Sequence, residues 1–269
     1  MAVGSGVLPE FPAINGIRLG VTAAGIKTPG RKDLVLIELQ EGSTCAGVFT
    51  QNAFCAAPVT LSKRHLAASF IDSNQSKTNY SYLLINTGNA NAGTGKQGME
   101  DAVASCQSTA DLFAVDVHQV LPFSTGVIGE KLPIEKIQKG LQSAADDLNS
   151  KHWHRAAEGI LTTDTRPKGA VASVQYGGET ILINGISKGA GMIKPNMATM
   201  LAFVGTDASI PQLLISELVS ELSEISFNRI TVDGDTSTND SCMLFASGAS
   251  VAPEIDVMHE DYPNFKAAL

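Results

Sequence analysis

The residues best suited to chemistry lie in the run Lys188-Gly189-Ala190-Gly191-Met192-Ile193-Lys194-Pro195-Asn196-Met197-Ala198-Thr199-Met200-Leu201. A glycine-rich loop here leads into an apolar strand that is predicted to begin near Thr199. Pro195 fixes one backbone torsion and biases Lys194 away from helix. A threonine at the mouth of a buried strand, behind small residues, can aim its hydroxyl at the carbonyl before it. Pattern alone favours the plainer reading, a β-branched residue opening a strand.

Other candidate motifs are weaker. Gly93, Gly95 and Gly98 match GxGxxG, the spacing at which backbone N–H groups meet a pyrophosphate. Six residues separate the preceding strand from Gly93, where a tight turn is expected, and no clear βαβ unit follows. A phosphate loop around Lys96 fails because Ala90 and Gln97 stand where Gly and Ser or Thr are required. Asn and Gly tolerate left-handed backbone, so a structured polar loop lining a small-molecule pocket is the expectation for residues 86–98. His152 and His154 are two apart and face different directions on a helix, so they cannot chelate together, and a surface helix start is expected. His65, His118 and His259 gain no partner from the sequence. No GxSxG elbow occurs, and no metal site is expected. The acidic stretch from Asp233 to Asp240 lacks the Glu of a calcium loop and reads as a packed polar turn.

With 269 residues, one large domain or two fused halves are both allowed. A 43% hydrophobic content builds a sizeable core and excludes disorder. Nineteen Lys and Arg against 27 Asp and Glu leave a net charge of -8, which excludes a basic nucleic-acid binder. No apolar run approaches the roughly 18 residues that a spanning helix needs, so no membrane association is expected. The first 16 residues carry no basic segment followed by an apolar one, so a secretory signal is not expected. Cys45, Cys55, Cys106 and Cys242 are far apart, without CxxC, and read as buried reduced thiols. The expectation is a cytoplasmic protein.

The elements that must position these residues follow from periodicity. Strands are predicted at Leu34 to Leu39, Thr44 to Thr50, Ser81 to Asn86, Ala170 to Tyr176, Thr180 to Asn184, Met200 to Val204, Arg229 to Val232 and Cys242 to Ala246. Apolar residues at helical spacing predict helices between Pro133 and Leu148 and from Pro211 to Ile225, the latter capped by Ser209. Met99 to Phe113 and His154 to Leu161 are weaker helical stretches. Strands come in runs with helices between them and without strict βαβ alternation. The expected class is α+β, a sandwich of packed sheets with helices outside.

Five ordered blocks resemble the ornithine acetyltransferase family, the bifunctional glutamate N-acetyltransferases of arginine biosynthesis. They are residues 86–92 (Asn86-Thr87-Gly88-Asn89-Ala90-Asn91-Ala92), 124–129 (Ser124-Thr125-Gly126-Val127-Ile128-Gly129), 161–168, the 188–201 run and 228–240. The resemblance implies an αββα sandwich of the DmpA/ArgJ-like, N-terminal-nucleophile-like type. It implies that Thr199 attacks the carbonyl of Ala198, so that self-cleavage gives an α chain, 1–198, and the start of a β chain, 199–269. Thr199 then serves as nucleophile through its own freed amine. Thr125 and Gly126 match the family's oxyanion pair, although the plainer reading of those residues is a strand-ending turn. Lys188 and Thr162, with Thr165 close behind, match substrate-contacting positions. The acetyl group of N-acetylornithine would pass to Thr199 and on to glutamate, with no cofactor. Whether acetyl-CoA also donates stays open. A tetramer of two α and two β chains is implied. Family members run on beyond the equivalent of Leu269, with a further substrate-contacting Glu, so this chain is expected to be a fragment or truncated. The alternatives are an N-terminal-nucleophile aminopeptidase or amidase, and a non-catalytic ligand-binding protein that uses the Gly93 to Gly98 loop.

Overall fold

Two mixed sheets form the middle of the molecule. The computed structural model describes residues 7–71, 82–193 and 200–269. The first sheet holds β1 (Ile17–Thr22), β2 (Leu34–Leu39), β4 (Tyr82–Asn89) and β5 (Val120–Val127), in the order β1-β2-β4-β5. The second holds β3 (Thr44–Phe49), β6 (Lys168–Tyr176), β7 (Glu179–Lys188), β8 (Leu201–Thr206) and β9 (Ser241–Ala246), in the order β3-β9-β8-β7-β6. Only β4 with β5 and β8 with β9 run parallel; the other neighbours are antiparallel.

The strands are apolar on both faces because both faces are covered. Leu83 and Ile85 of β4, Leu121 and Phe123 of β5, Phe203 of β8 and Phe245 of β9 point into the layer between the sheets. Their alternates Leu84, Val120, Ala202 and Leu244 point outward to helices. On the outer side of the first sheet lie α2 (Gly95–Phe113) and α3 (Ile134–Asp146), with α1 (Ala57–Ile71) against β5; α5 (Gln212–Ile225) and α6 (Tyr262–Ala268) cover the second sheet. The short α4 (Trp153–Gly159) instead plugs the inter-sheet layer, where the fully buried Trp153 stacks on Phe245 at 6.3 Å. Burying each such aromatic side chain contributes ~1.5–3 kcal/mol. The expected α+β sandwich is what forms: αββα, four layers.

Several expectations give way to packing. The Arg229 to Val232 strand does not form. A 3-10 turn spans Phe227–Arg229, and Ile230 and Val232 are exposed with no strand beside them. Ser209 does not cap α5; Pro211 occupies the N-cap, and the Ser209 hydroxyl reaches Glu254 at 3.4 Å. A helix does start at His152 to His154 with His154 exposed, but Trp153 between them is buried in the core. Strand β1 is buried at Ile17 and from Leu19 to Val21, with only Arg18 exposed, and its Gly20 is required by close approach. A Cβ there would sit 1.9 Å from the Ala144 carbonyl oxygen of α3. Strand β5 contains Pro122, which breaks a strand pattern in sequence but is tolerated because β5 is an edge strand. Strand β7 runs four residues past its predicted end, so Lys188 terminates a strand and pairs with Leu201 of β8.

Candidate functional site

The C-terminal ends of the parallel pair β4 and β5 meet the C-terminal end of β7 around one cavity of about 630 Å³. Thr87 lies beside Thr125, and Gly88 beside Gly126, before the ladder shifts register at Asn89. Gly88 has a φ of +96° and Gly126 a φ of +139°. The two backbones approach so closely that a Cβ on Gly126 would meet Gly88 C at 2.3 Å and Asn89 N at 2.5 Å. Thr125 and Gly126 therefore sit on the cavity wall at a strand end whose backbone only glycine can adopt. Asn239 ties this rim together, with its Nδ2 donating to the Ala90 carbonyl at 2.6 Å and to that of Ser124 at 2.9 Å.

Lys188 reaches across from the second sheet. It is buried, and its Nζ donates to the Thr125 Oγ1 at 2.6 Å. Burial pushes its ammonium below the ordinary lysine value, and the carboxylates of Asp164 and Asp240 oppose that shift. Asp164 organises the loop between α4 and β6. Its Oδ1 accepts from Lys168 Nζ at 2.6 Å and from Gly189 N–H at 2.9 Å, and its Oδ2 from Thr162 N–H at 3.4 Å. Burial alone would raise the Asp164 carboxyl, but these donors and the nearby lysines hold it below the ordinary aspartate value.

Thr162 lines the same cavity, its carbonyl gripped at 2.7 Å by the Arg31 guanidinium. Thr165 is not on the wall. Ala198 and Thr199 lie outside the described residues. The segment that holds them connects β7 to β8. Ahead of it Gly191 and Met192 line the cavity, and behind it the buried Met200 donates its N–H to Asp240 Oδ1 at 2.8 Å. Of the sequence-predicted residues, Thr125, Gly126, Thr162 and Lys188 are thus brought to one place, from three separate stretches of chain.

The sequence reading missed part of the wall. Lys27, Arg31 and Asp33 line it from the loop between β1 and β2, and Asp33 accepts from Ala24 N–H at 2.7 Å and from Ile26 N–H at 2.5 Å. No motif marks these residues; only the long Thr22-to-Leu34 connection hints at them. The 233–240 stretch is indeed packed at Ser237 to Asp240, but it also contributes Asp233, Ser237, Thr238 and Asn239 to the cavity. Within the 86–98 loop, Thr87, Gly88 and Ala90 line the wall, whereas Gly93, Gly95 and Gly98 do not. The dinucleotide spacing is therefore a loop and helix start away from this cavity.

Two sheets face to face with helices outside, and a polar cavity at their strand ends, define the class: an N-terminal-nucleophile-hydrolase-like αββα sandwich. The same fold occurs in the L-aminopeptidase D-Ala-esterase/amidase of Ochrobactrum anthropi, described as a variant of the Ntn hydrolase fold. It superposes with a TM-score of 0.55 at 13% identity, over 95% of this chain and 80% of that one. The model of the ArgJ family matches residues 18–269, and the chain belongs to that family.

A curated relative, the arginine biosynthesis bifunctional protein ArgJ of Pseudomonas fluorescens, is 54% identical over 256 residues, which is 95% of this chain and 61% of that protein. The ArgJ protein of Colwellia psychrerythraea is 53% identical, over 92% of this chain and 60% of that protein. The chain thus spans about 60% of the length of the curated relatives it matches. Among solved structures, ArgJ from Bacillus halodurans is 34% identical with a TM-score of 0.59, over 69% of this chain and 92% of that chain. Ornithine acetyltransferase from Mycobacterium tuberculosis, solved with ornithine, is 28% identical with a TM-score of 0.57, over 70% and 94%.

Proposed function

We propose that this chain carries the self-cleaving, acetyl-transferring centre of an arginine-biosynthesis acetyltransferase, with Thr199 as nucleophile. The observation that carries this reading is the convergence of Thr125, Gly126, Thr162 and Lys188 on one cavity beside Met200, the residue that follows Thr199. Thr199 Oγ attacks the Ala198 carbonyl carbon, the Ala198–Thr199 C–N bond breaks as an ester forms, and water then hydrolyses that ester. The freed α-amine of Thr199, with an ordinary pKa of about 8, accepts the proton from its own hydroxyl in the next attack. The acetyl carbonyl of N-acetylornithine is the target. Ornithine leaves, and the glutamate amine takes the acetyl group from the Thr199 ester. Thr125 Oγ and the Gly126 N–H stabilise the oxyanion of each tetrahedral intermediate, at ~2.7–4 kcal/mol per donor. Lys188 and Thr162 contact the substrate, and acetyl-CoA is a second donor consistent with the relatives' designation as bifunctional.

The topology suits such a cut. Strands β8 and β9 follow Thr199 in sequence, yet β9 lies between β3 and β8, and β8 pairs with β7. The pieces 1–198 and 199–269 would stay hydrogen-bonded in one sheet after cleavage. A tetramer of two α and two β chains completes the proposal.

Denaturing mass spectrometry of the purified protein tests it. A fragment that begins at Thr199 is expected, and Thr199→Ala should abolish both cleavage and transfer. An intact Thr199→Ala-like mass for the unsubstituted protein would refute the proposal. Release of free acetate in place of N-acetylglutamate would reassign the centre as a hydrolase.

A further inference from the structure

We infer that Lys188 is a positioning residue which acts through Thr125: its ammonium fixes the direction of the Thr125 hydroxyl so that the proton points into the cavity. This inference rests on the acetyl-transfer reading of the same site. An ammonium has three donors and no acceptor, whereas a hydroxyl can both donate and accept. At 2.6 Å from Lys188 Nζ, Thr125 Oγ1 must therefore accept, which leaves its own O–H to turn elsewhere. Thr125 is buried and lines the cavity at the end of β5, so the cavity is a direction in which its O–H can turn. Were Nζ a neutral amine, its lone pair could take the Thr125 proton and the donor would be lost from the cavity.

Carboxylates face the nitrogen and favour its charged form against burial. Lys188 is buried at the end of β7, facing Asp164 and Asp240 with Lys168 as the opposing cation. Asp164 is itself held ionised by Lys168 and the Gly189 N–H. A buried ammonium left without such carboxylates would shed its proton. The Lys188–Thr125 contact joins the two sheets across the inter-sheet layer, so the hydroxyl direction is set by the tertiary fold and not by either strand alone.

Two measurements decide it. Side-chain nitrogen NMR of lysine-labelled protein reads the protonation state directly. An ammonium signal for Lys188, identified by its loss in Lys188→Met and shifted by Thr125→Val, is expected near neutral pH. An amine signal, or one indifferent to Thr125→Val, would overturn the inference. In steady-state acetyl transfer from N-acetylornithine to glutamate, Thr125→Val should lower kcat by ~10²–10³-fold. Lys188→Met should lower kcat in the same direction, and the double variant should match Thr125→Val within about twofold, against the near-additivity of independent sites. Any direct substrate contact by Lys188 would remain visible in KM in the Thr125→Val background. Multiplying kcat effects would overturn the inference while leaving the proposed reaction standing. Absence of transfer by the unsubstituted protein would instead sink the proposed reaction, and the NMR result would still decide the Lys188 contact.

Discussion

Gly126→Ala is the substitution for which the structure makes the sharpest demand. At a φ of +139° an alanine side chain is held in a conformation that L residues rarely adopt, which costs ~1–3 kcal/mol. The added methyl would also fall within 2.3–2.7 Å of Gly88 and Asn89 backbone atoms on β4, and these cannot rotate away as a flexible side chain could. Relief requires the β4–β5 ladder to open, an overpacking cost of ~1–3 kcal/mol. The sum is ~2–6 kcal/mol, against Gly129→Ala as a control. Gly129 also has a positive φ, of +82°, but a Cβ there meets nothing within 4 Å, so only the conformational part applies. Urea unfolding of both variants beside the parent measures the two costs with the same m-value. The Gly126→Ala midpoint is expected to fall clearly below that of Gly129→Ala. Equal midpoints would refute the claim that backbone contact fixes this position. Because alanine keeps the N–H, a loss of acetyl transfer in Gly126→Ala would come from displacement of that donor, not its removal.

The Asp164 carboxyl is held below its ordinary value, so its contribution to stability is present above the unfolded pKa of about 4 and is lost as pH falls through the folded value. Asp164→Asn should therefore unfold at lower urea than the parent near neutral pH, with the gap closing in acid; a gap independent of pH would contradict the assigned donors. Among the cysteines, Cys45, Cys106 and Cys242 are buried, and burial raises all three thiols, that of Cys242 to about 11. Only Cys55, which is partly exposed, should react with a thiol reagent under native conditions, with all four reacting in denaturant. Rapid native labelling of two or more would show that the core opens.

Local pattern carried much of the fold. The strands at residues 34–39 and 242–246 and the helices α3 and α5 could be read because their apolar spacing matches one period over a long enough stretch. Strand β5 was obscured by Pro122, whose missing donor is harmless only because no strand pairs on its far side. The failed strand at 229–232 had the residue types but no neighbouring edge to pair with, which is a tertiary condition. Helix α1 escaped notice because its apolar stripe is interrupted by the buried polar residues Ser62 and His65, whose side chains bond to the Pro122 and Val120 carbonyls of β5.

For the site, the residue types and block order were legible in sequence, including Thr125, Gly126, Thr162 and Lys188, which the fold brings to one cavity. Their spatial relation was not. Residue 188 stands 63 positions from residue 125, and no spacing rule predicts that their polar atoms meet at 2.6 Å. Nor could pattern reveal Arg31 gripping the Thr162 carbonyl or the 233–240 stretch closing the wall. Chemistry-bearing residue types and local periods are properties of short stretches, so the linear chain specifies them. Which donor faces which acceptor depends on how two separately formed sheets stack, and that is decided by burying the apolar layer between them.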